Sequence, residues 1–332
     1  MHSTHSTHFT HFTHSAVCAS SRAVPQARVI LTLLVVQILF GTLPFTGQVV
    51  MRWMSPIGAA SLRAVGAAAV LALVCGRRLG TIALRDVPHL ALYTLLALVG
   101  NQVLFLEGLS RSTQINASVL ITTIPVFTVA FALALRRERA SAWKLAGIAV
   151  GLGGALLLVR IEQFELSDRM VLGDLMVIAN CSLWSLYLVL ARPMLRRVSP
   201  LVMITWMFLL GALVMAPLGL PSAIDGLSRA PASALWAVVW MLAGPTAAAY
   251  LLNVWALREA ESSQVAIFTY VQPLVAGILA WGFAGESLSA RTAVSAALIF
   301  AGVALVQVGG SRIDGVSGER QDPGRAEPEA PR

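Results

Sequence analysis

At 332 residues the chain is 57% hydrophobic and only 12% charged, with a mean hydropathy of +0.76, too little polar surface to cover the core of a soluble protein this size. Its formal net charge of +8 sits in short loops between apolar blocks, so the excess of basic residues reads as membrane topology and excludes a nucleic-acid footprint. The apolar runs are continuous rather than alternating, which excludes a transmembrane β-barrel.

Residues 1–28 are expected to be a disordered tail. Within it His2, His5, His8, His11 and His14 recur at every third position among Ser, Thr and Phe. A step of three turns successive imidazoles by about 300° around a helix. No second ligand type accompanies them, so a metal site is not implied. A start codon placed too early would leave the same tract. The apolar run that follows is long and lacks a small-residue cleavage site, unlike a secretory signal.

Crossing a bilayer takes roughly 20 residues of helix. Charge-free runs follow at 29–51, 87–106, 112–135, 145–159, 175–191, 198–224, 230–257, 262–285 and 292–311, and the run 53–76 is broken only by Arg63. The expected fold is therefore an all-α integral membrane protein of ten transmembrane helices. With the amino terminus inside, Arg77, Arg78, Arg85, Arg136, Arg137, Arg139, Lys144, Arg192, Arg196, Arg197 and Arg258 fall on the cytoplasmic side. The opposite loops receive only Arg52, Arg111, Arg160, Arg169, Arg229 and Arg291. That bias places both termini in the cytoplasm of a bacterial inner-membrane protein. Residues 310–332, polar and rich in Pro and Gly, are expected to be a second disordered tail. Cys18, Cys75 and Cys181 have no metal or redox spacing, so no disulfide framework is implied.

Two stretches repeat each other without a gap at an offset of 148 residues, Glu107 to Val159 and Trp255 to Gln307. Pro125 falls on Pro273, Glu138 on Glu286 and Gly154 on Gly302. Only nine of the 53 positions are identical, yet they are residues that shape helices. At the shared Glu the first copy reads RRER and the second AGES. Cationic loops stay inside, so the copies should lie in opposite orientations. The expected units are two inverted five-helix repeats, 29–159 and 172–309, an architecture common among secondary transporters.

Prolines interrupt the apolar runs at 44, 125, 217, 245 and 273. Each removes a helix hydrogen bond and frees the carbonyl four residues earlier. For Pro125 and Pro273 these are the carbonyls of Ile121 and Thr269, and a freed carbonyl in lipid needs protein or a watery cavity. Paired helix kinks at Pro125 and Pro273 thus point to a binding site. Polar residues concentrate in helices 1, 3, 4, 6, 8 and 9. Helices 5 and 10 carry small residues instead, including the Gly147–Gly151 step, and should act as scaffold. The candidate cavity residues are Asn101, Gln102, Asn180, Trp184, Tyr187, Tyr250, Asn253, Tyr270 and Gln272, each with interhelical hydrogen bonding as the alternative role. Arg63 and Glu107 are the charges clearly inside spans, and a charge there needs a partner or a job. They could meet at similar depth as an ion pair, or Glu107 could couple transport to protons. Glu138 and Glu286 lie at span ends on opposite sides, where they are expected to cap the next helix or pair with loop arginines. No GxSxG, Walker-type or HExxH motif is present, so neither an enzyme nor a primary pump is implied, and no cofactor or metal.

The phrases TTIPVFTVAFALALRRE and TYVQPLVAGILAWGFAGESLSA, with ten spans and a doubled five-helix unit, resemble the EamA-type permeases of the drug/metabolite transporter superfamily. The resemblance runs over roughly residues 29–310. Residues 172–194 (LGDLMVIANCSLWSLYLVLARPM) are similar to the family's first helix of the second half, whereas LFGTLPF stands in helix 1 where a Trp-Gly pair is commoner. The resemblance implies alternating access and a cavity lined by helices 1, 3, 4, 6, 8 and 9. The expected activity is transport, in the direction of export, of a small neutral, zwitterionic or amphipathic metabolite, amino-acid-like or drug-like. A proton-coupled multidrug efflux permease and a non-transporting scaffold or sensor are the alternatives. The lipid bilayer and a small metabolite are the expected partners, with a homodimer left open. Without a basic cluster in mid-membrane, phosphorylated solutes fit poorly.

Overall fold

Two serine–proline pairs, Ser55–Pro56 and Ser199–Pro200, start equivalent helices 144 residues apart. In each the proline occupies the first helical turn, where its missing amide costs nothing. The serine hydroxyl caps the end, accepting from the amide of Gly58 at 3.0 Å and of Val202 at 3.3 Å. The computed structural model describes residues 26–112, 114–158, 168–275, 278 and 290–319, and every regular element among them is helical. The first half contains α1 (Gln26–Met51), α2 (Pro56–Cys75), α3 (Leu84–Arg111), α4 in two pieces (Gln114–Ile121 and Ile124–Ala134) and α5 (Ala142–Leu158). The second contains α6 (Asp168–Leu195), α7 (Pro200–Arg229), α8 (Ala232–Glu259), α9 (from Ser262–Ala266 into the 3₁₀ turn Ile267–Tyr270) and α10 (Ala290–Glu319). Among the described residues six helices are long and apolar enough to cross a bilayer, and Val119–Ala134, Ala142–Leu157 and Ala293–Gln307 are shorter apolar ones.

The halves are inverted, and the packing of equivalent helices displays it. On α5, Gly147 lies against Gly302 and Val306 of α10, while Gly154 lies against Ser295, Leu298 and Ile299. The two helices are therefore antiparallel. In the 148-residue register Gly147 corresponds to Ser295 and Gly154 to Gly302, so exchanging the halves maps this contact onto itself. A Cβ on Gly302 would stand 2.6 Å from the Gly147 carbonyl oxygen, and only glycine permits that approach. Helices α2 and α7 also run antiparallel. The Ser61 hydroxyl donates to the Met215 carbonyl at 2.8 Å, and the Ser55 amide donates to Ser222 Oγ at 3.0 Å. Helix α1 packs on α8, α3 on α6, and α4 on α9, as the same exchange requires.

The basic loops gather at one end. There Arg197 lies 2.8 Å from Asp86, and Lys144 pairs with Glu138 at 3.1 Å and with Glu261. Glu138 also accepts from the Ser263 amide at 3.2 Å and from its hydroxyl at 2.5 Å. The expectation for Glu138 is thus corrected. It caps α9 of the other half rather than the next helix, and its cation is a lysine. Glu286 lies outside the described residues. At the far end Asp174 also links the halves, accepting from the Ser112 hydroxyl and from the Asn116 amide at 2.9 Å.

Among the described residues four helices break near their middles. Helix α1 turns at Thr42 and α4 at Thr122–Thr123, with Pro44 and Pro125 in the first turn after each break. At the second break Thr122 and Thr123 hydroxyls donate to the carbonyls of Val119 and Leu120, and Ser185 reaches Ile124 O at 3.0 Å. Those hydroxyls serve Val119, Leu120 and Ile124 rather than Ile121, because the chain turns ahead of Pro125. Helix α3 widens into a π turn at Leu95–Val99 and α8 at Ala243–Ala248, equivalent positions of the two halves. Helix α10 continues to Glu319, beyond the expected start of the tail at 310. No proline interrupts it before Pro323.

Candidate functional site

The broken helices meet around a central cavity, with about 540 Å³ of atom-free space that includes its opening to solvent. Where α1 turns it contributes Phe40, Leu43 and Pro44, and the α4 break contributes Ile121 and Ile124. Helix α3 adds Asn101, Gln102 and Phe105, α6 adds Asn180 and Trp184, and α2, α8 and α9 add Arg63, Tyr250 and Gln272. Phe40, Trp184 and Tyr250 form a triangle of edge-to-face rings, with centroids 5.9, 5.6 and 5.5 Å apart. Such contacts fix rings more firmly than area alone, so the apolar wall is preformed.

The amides divide into satisfied and unsatisfied groups. Asn180 Nδ2 donates to Asn101 O at 2.8 Å, and Asn101 Nδ2 donates back to Asn180 O at 3.4 Å. Gln272 Nε2 donates to Gln37 Oε1 at 2.7 Å. Gln102 is buried with Tyr250 as its polar neighbour, and neither of its amide atoms makes a well-aligned hydrogen bond among the described residues. Arg63 is only 1% exposed. Its Nε donates to Thr246 Oγ1 at 2.8 Å, and none of the ion pairs among the described residues includes it.

Asn101, Gln102, Asn180, Trp184, Tyr250 and Gln272 therefore stand together on the lining, whereas Tyr187, Asn253 and Tyr270 do not. Tyr187 lies behind the wall, its ring 5.3 Å from Trp184 and 6.1 Å from Tyr93. Asn253 is buried with Oδ1 unpartnered among the described residues. Tyr270 belongs to the scaffold: its hydroxyl donates to Ile148 O at 3.2 Å, and its ring fills the space left by Gly151. The expected Arg63–Glu107 pair does not form. Glu107 pairs with Arg111 one turn later, an arrangement that i,i+4 geometry favours on any helix, and it stays off the cavity lining. Pro125 sits one residue past a lining position and Pro273 one residue past another. The apolar liners Phe40, Leu43, Pro44, Phe105, Ile121 and Ile124 carry no polar signal that would mark them in the sequence.

No group of three or more potential metal ligands occurs among the described residues. The site can bind and orient a solute with one anionic or polar end and one apolar end.

A model of the EamA-like transporter family matches residues 27–160 and 171–308. An uncharacterized transporter of Archaeoglobus fulgidus is 29% identical over 216 residues, 64% of this chain and 74% of its own. A probable terminal-alkyne amino-acid exporter of Streptantibioticus cattleyicolor is 28% identical over 241 residues, 73% of this chain and 79% of its own. The uncharacterized transporter YyaM of Bacillus subtilis is 23% identical over 258 residues, 76% of this chain and 84% of its own. One solved crystal structure, 20% identical, superposes with a TM-score of 0.69 over 87% of this chain and 99% of that one, a likeness of fold.

Proposed function

Because the chain belongs to the EamA-like transporter family, a family of multi-pass membrane transporters and not of enzymes, we propose that it exports a small amphipathic metabolite, amino-acid-like in size and polarity, by alternating access through the central cavity. One observation carries this reading: the cavity lies where the inverted halves meet, and equivalent positions of both halves line it. Rocking one half against the other would expose such a site to each side in turn. Preformed rings would hold the apolar part of the solute, while amides would fix its polar end. In this reading the Lys144–Glu261 end faces the cytoplasm, the side that basic loops favour. Export is the direction named for the relative from Streptantibioticus cattleyicolor, and it is carried over here as part of the proposal.

The test compares metabolites released by cells overproducing the protein with those released by cells lacking it. A Trp184→Ala variant serves as the transport-impaired control. Release of one or a few small amphipathic solutes that rises with the protein and falls with the variant supports the reading. Identical release profiles in all three strains would refute it.

A further inference from the structure

The cavity contains one full charge, and among the described residues that charge has no counterpart. Arg63 is 1% exposed in α2, and a guanidinium stays protonated at any physiological pH. Its single hydrogen bond, Nε to Thr246 Oγ1 at 2.8 Å, goes to a neutral hydroxyl whose own proton is donated to Met241 O. No ion pair among the described residues includes Arg63, and no Asp or Glu of theirs lines the cavity. Leaving a buried ion uncompensated is costly, which is why charges inside membrane spans have partners or functions. On the same lining the Gln102 amide, with Tyr250 as its polar neighbour, makes no well-aligned hydrogen bond at either end among the described residues. A guanidinium without a counter-ion and an amide on the same lining make a donor set that can receive a carboxylate.

We infer that Arg63, with Gln102 on the same lining, is the subsite for a carboxylate on the solute, so that the transporter takes small monocarboxylates with apolar side chains, amino acids among them, over amines that lack the acid group. The inference rests on the cavity being the transport site. Phe40, Trp184 and Tyr250 receive the apolar part, and an ammonium group, where present, meets ring faces rather than a counter-ion. Arg63 has no equivalent cation: the serine–proline register places Met207 opposite it in the second half. One orientation of the solute is therefore favoured.

Thermal unfolding of the full chain in detergent tests this with simple probe compounds, because a ligand that binds the folded state raises the midpoint. The probes are matched triplets: L-phenylalanine, its amide and phenethylamine, and L-leucine, its amide and isoamylamine. The carboxylate members are expected to raise the midpoint, and the amides and amines to leave it unchanged. In Arg63→Met the carboxylate response should weaken by about tenfold or more, and Arg63→Lys should retain part of it. The empty Arg63→Met protein should melt no lower than the native one, since an unpaired buried charge has been removed. A lower midpoint for that empty variant would instead assign the guanidinium to holding α2 against α8, and would overturn the inference. It is equally overturned if amides or amines respond as strongly as the acids, or if no probe responds. In those cases the metabolite-release comparison still decides the transporter reading separately.

Discussion

Phe40 and Trp184 occupy equivalent positions of the two halves, as do Gln102 and Tyr250, and Ile124 and Gln272; all six line the cavity. The shape of the site is therefore pseudo-symmetric, supplied twice by one scaffold. Its chemistry is not. Where the first half places Arg63 the second has Met207, and where the first has Asn101 the second has Ala249. A symmetric pocket would bind a solute equally well in two opposed orientations. A single charge on one wall removes that degeneracy. Scaffold contacts should accordingly respond alike when equivalent residues are changed, whereas charged and polar groups should respond individually.

The largest departure from symmetry lies at the basic end. Lys144 and Glu138 are 3% and 4% exposed at their side chains, and the position equivalent to Lys144 is Thr292. Lys144→Met leaves Glu138 and Glu261 without the cation that joins them. A loss of about 3–5 kcal/mol is expected, the usual cost of breaking a buried pair from one side. Chemical unfolding in detergent measures it, and a loss below about 1 kcal/mol would show that water already screens the network.

Glycine substitutions address the symmetric part. A Cβ on Gly302 would stand 2.6 Å from Gly147 O, and one on Gly154 would stand 2.7 Å from Leu298 Cβ. In an open helix Gly→Ala is stabilising by up to about 1 kcal/mol. Here each change should instead destabilise by about 1–3 kcal/mol, because the neighbouring helix has no room to give. Equal losses for Gly154→Ala and Gly302→Ala would sharpen the comparison. A neutral result for one of them would break it.

Tyr250 tests a contact made by only one member of an equivalent pair. Its hydroxyl donates to Ala97 O at 3.1 Å, inside the π turn of α3, while its counterpart Gln102 makes no equivalent bond to a backbone carbonyl among the described residues. Tyr250→Phe keeps the ring and should cost about 1 kcal/mol in unfolding free energy. A cost near zero would mean that the π turn holds its own carbonyls.

The scaffold was legible because it rests on residues that act alone. Prolines, small residues and charge-free runs announce helices, breaks and inversion without regard to which way a side chain points. The site depended on azimuth, which sequence expresses weakly. Helix α1 is apolar nearly all round, so nothing distinguished Phe40 from the residues that face lipid. Depth alone suggested Arg63 with Glu107, although the two project from different helices and Glu107 had Arg111 within its own turn. Burial of a polar group reports an inward face but not what it meets there. Tyr270 meets a carbonyl of α5 and Trp184 meets the cavity, yet both read alike. The π turn at Leu95–Val99 has no marker at all, since its equivalent contains Pro245 and it does not.

Glu107 provides the smallest effect and the sharpest separation of two mechanisms. Its carboxylate pairs with Arg111 at side-chain exposures of 15% and 33%, and Arg111 Nη1 also donates to the Glu107 backbone carbonyl at 2.8 Å. Glu107→Gln removes the charge and keeps that second bond, so about 0.3–0.5 kcal/mol should be lost. Proton coupling needs a carboxylate that the solute or the rocking motion can reach, and this one is off the lining with its cation one turn away. Transport in vesicles under an imposed pH gradient should therefore be the same for Glu107→Gln and the native protein. Loss of gradient-driven transport with the fold intact would place Glu107 in the coupling path. It would also mean that the first half supplies two functional charges, Arg63 and Glu107, with no counterparts in the second.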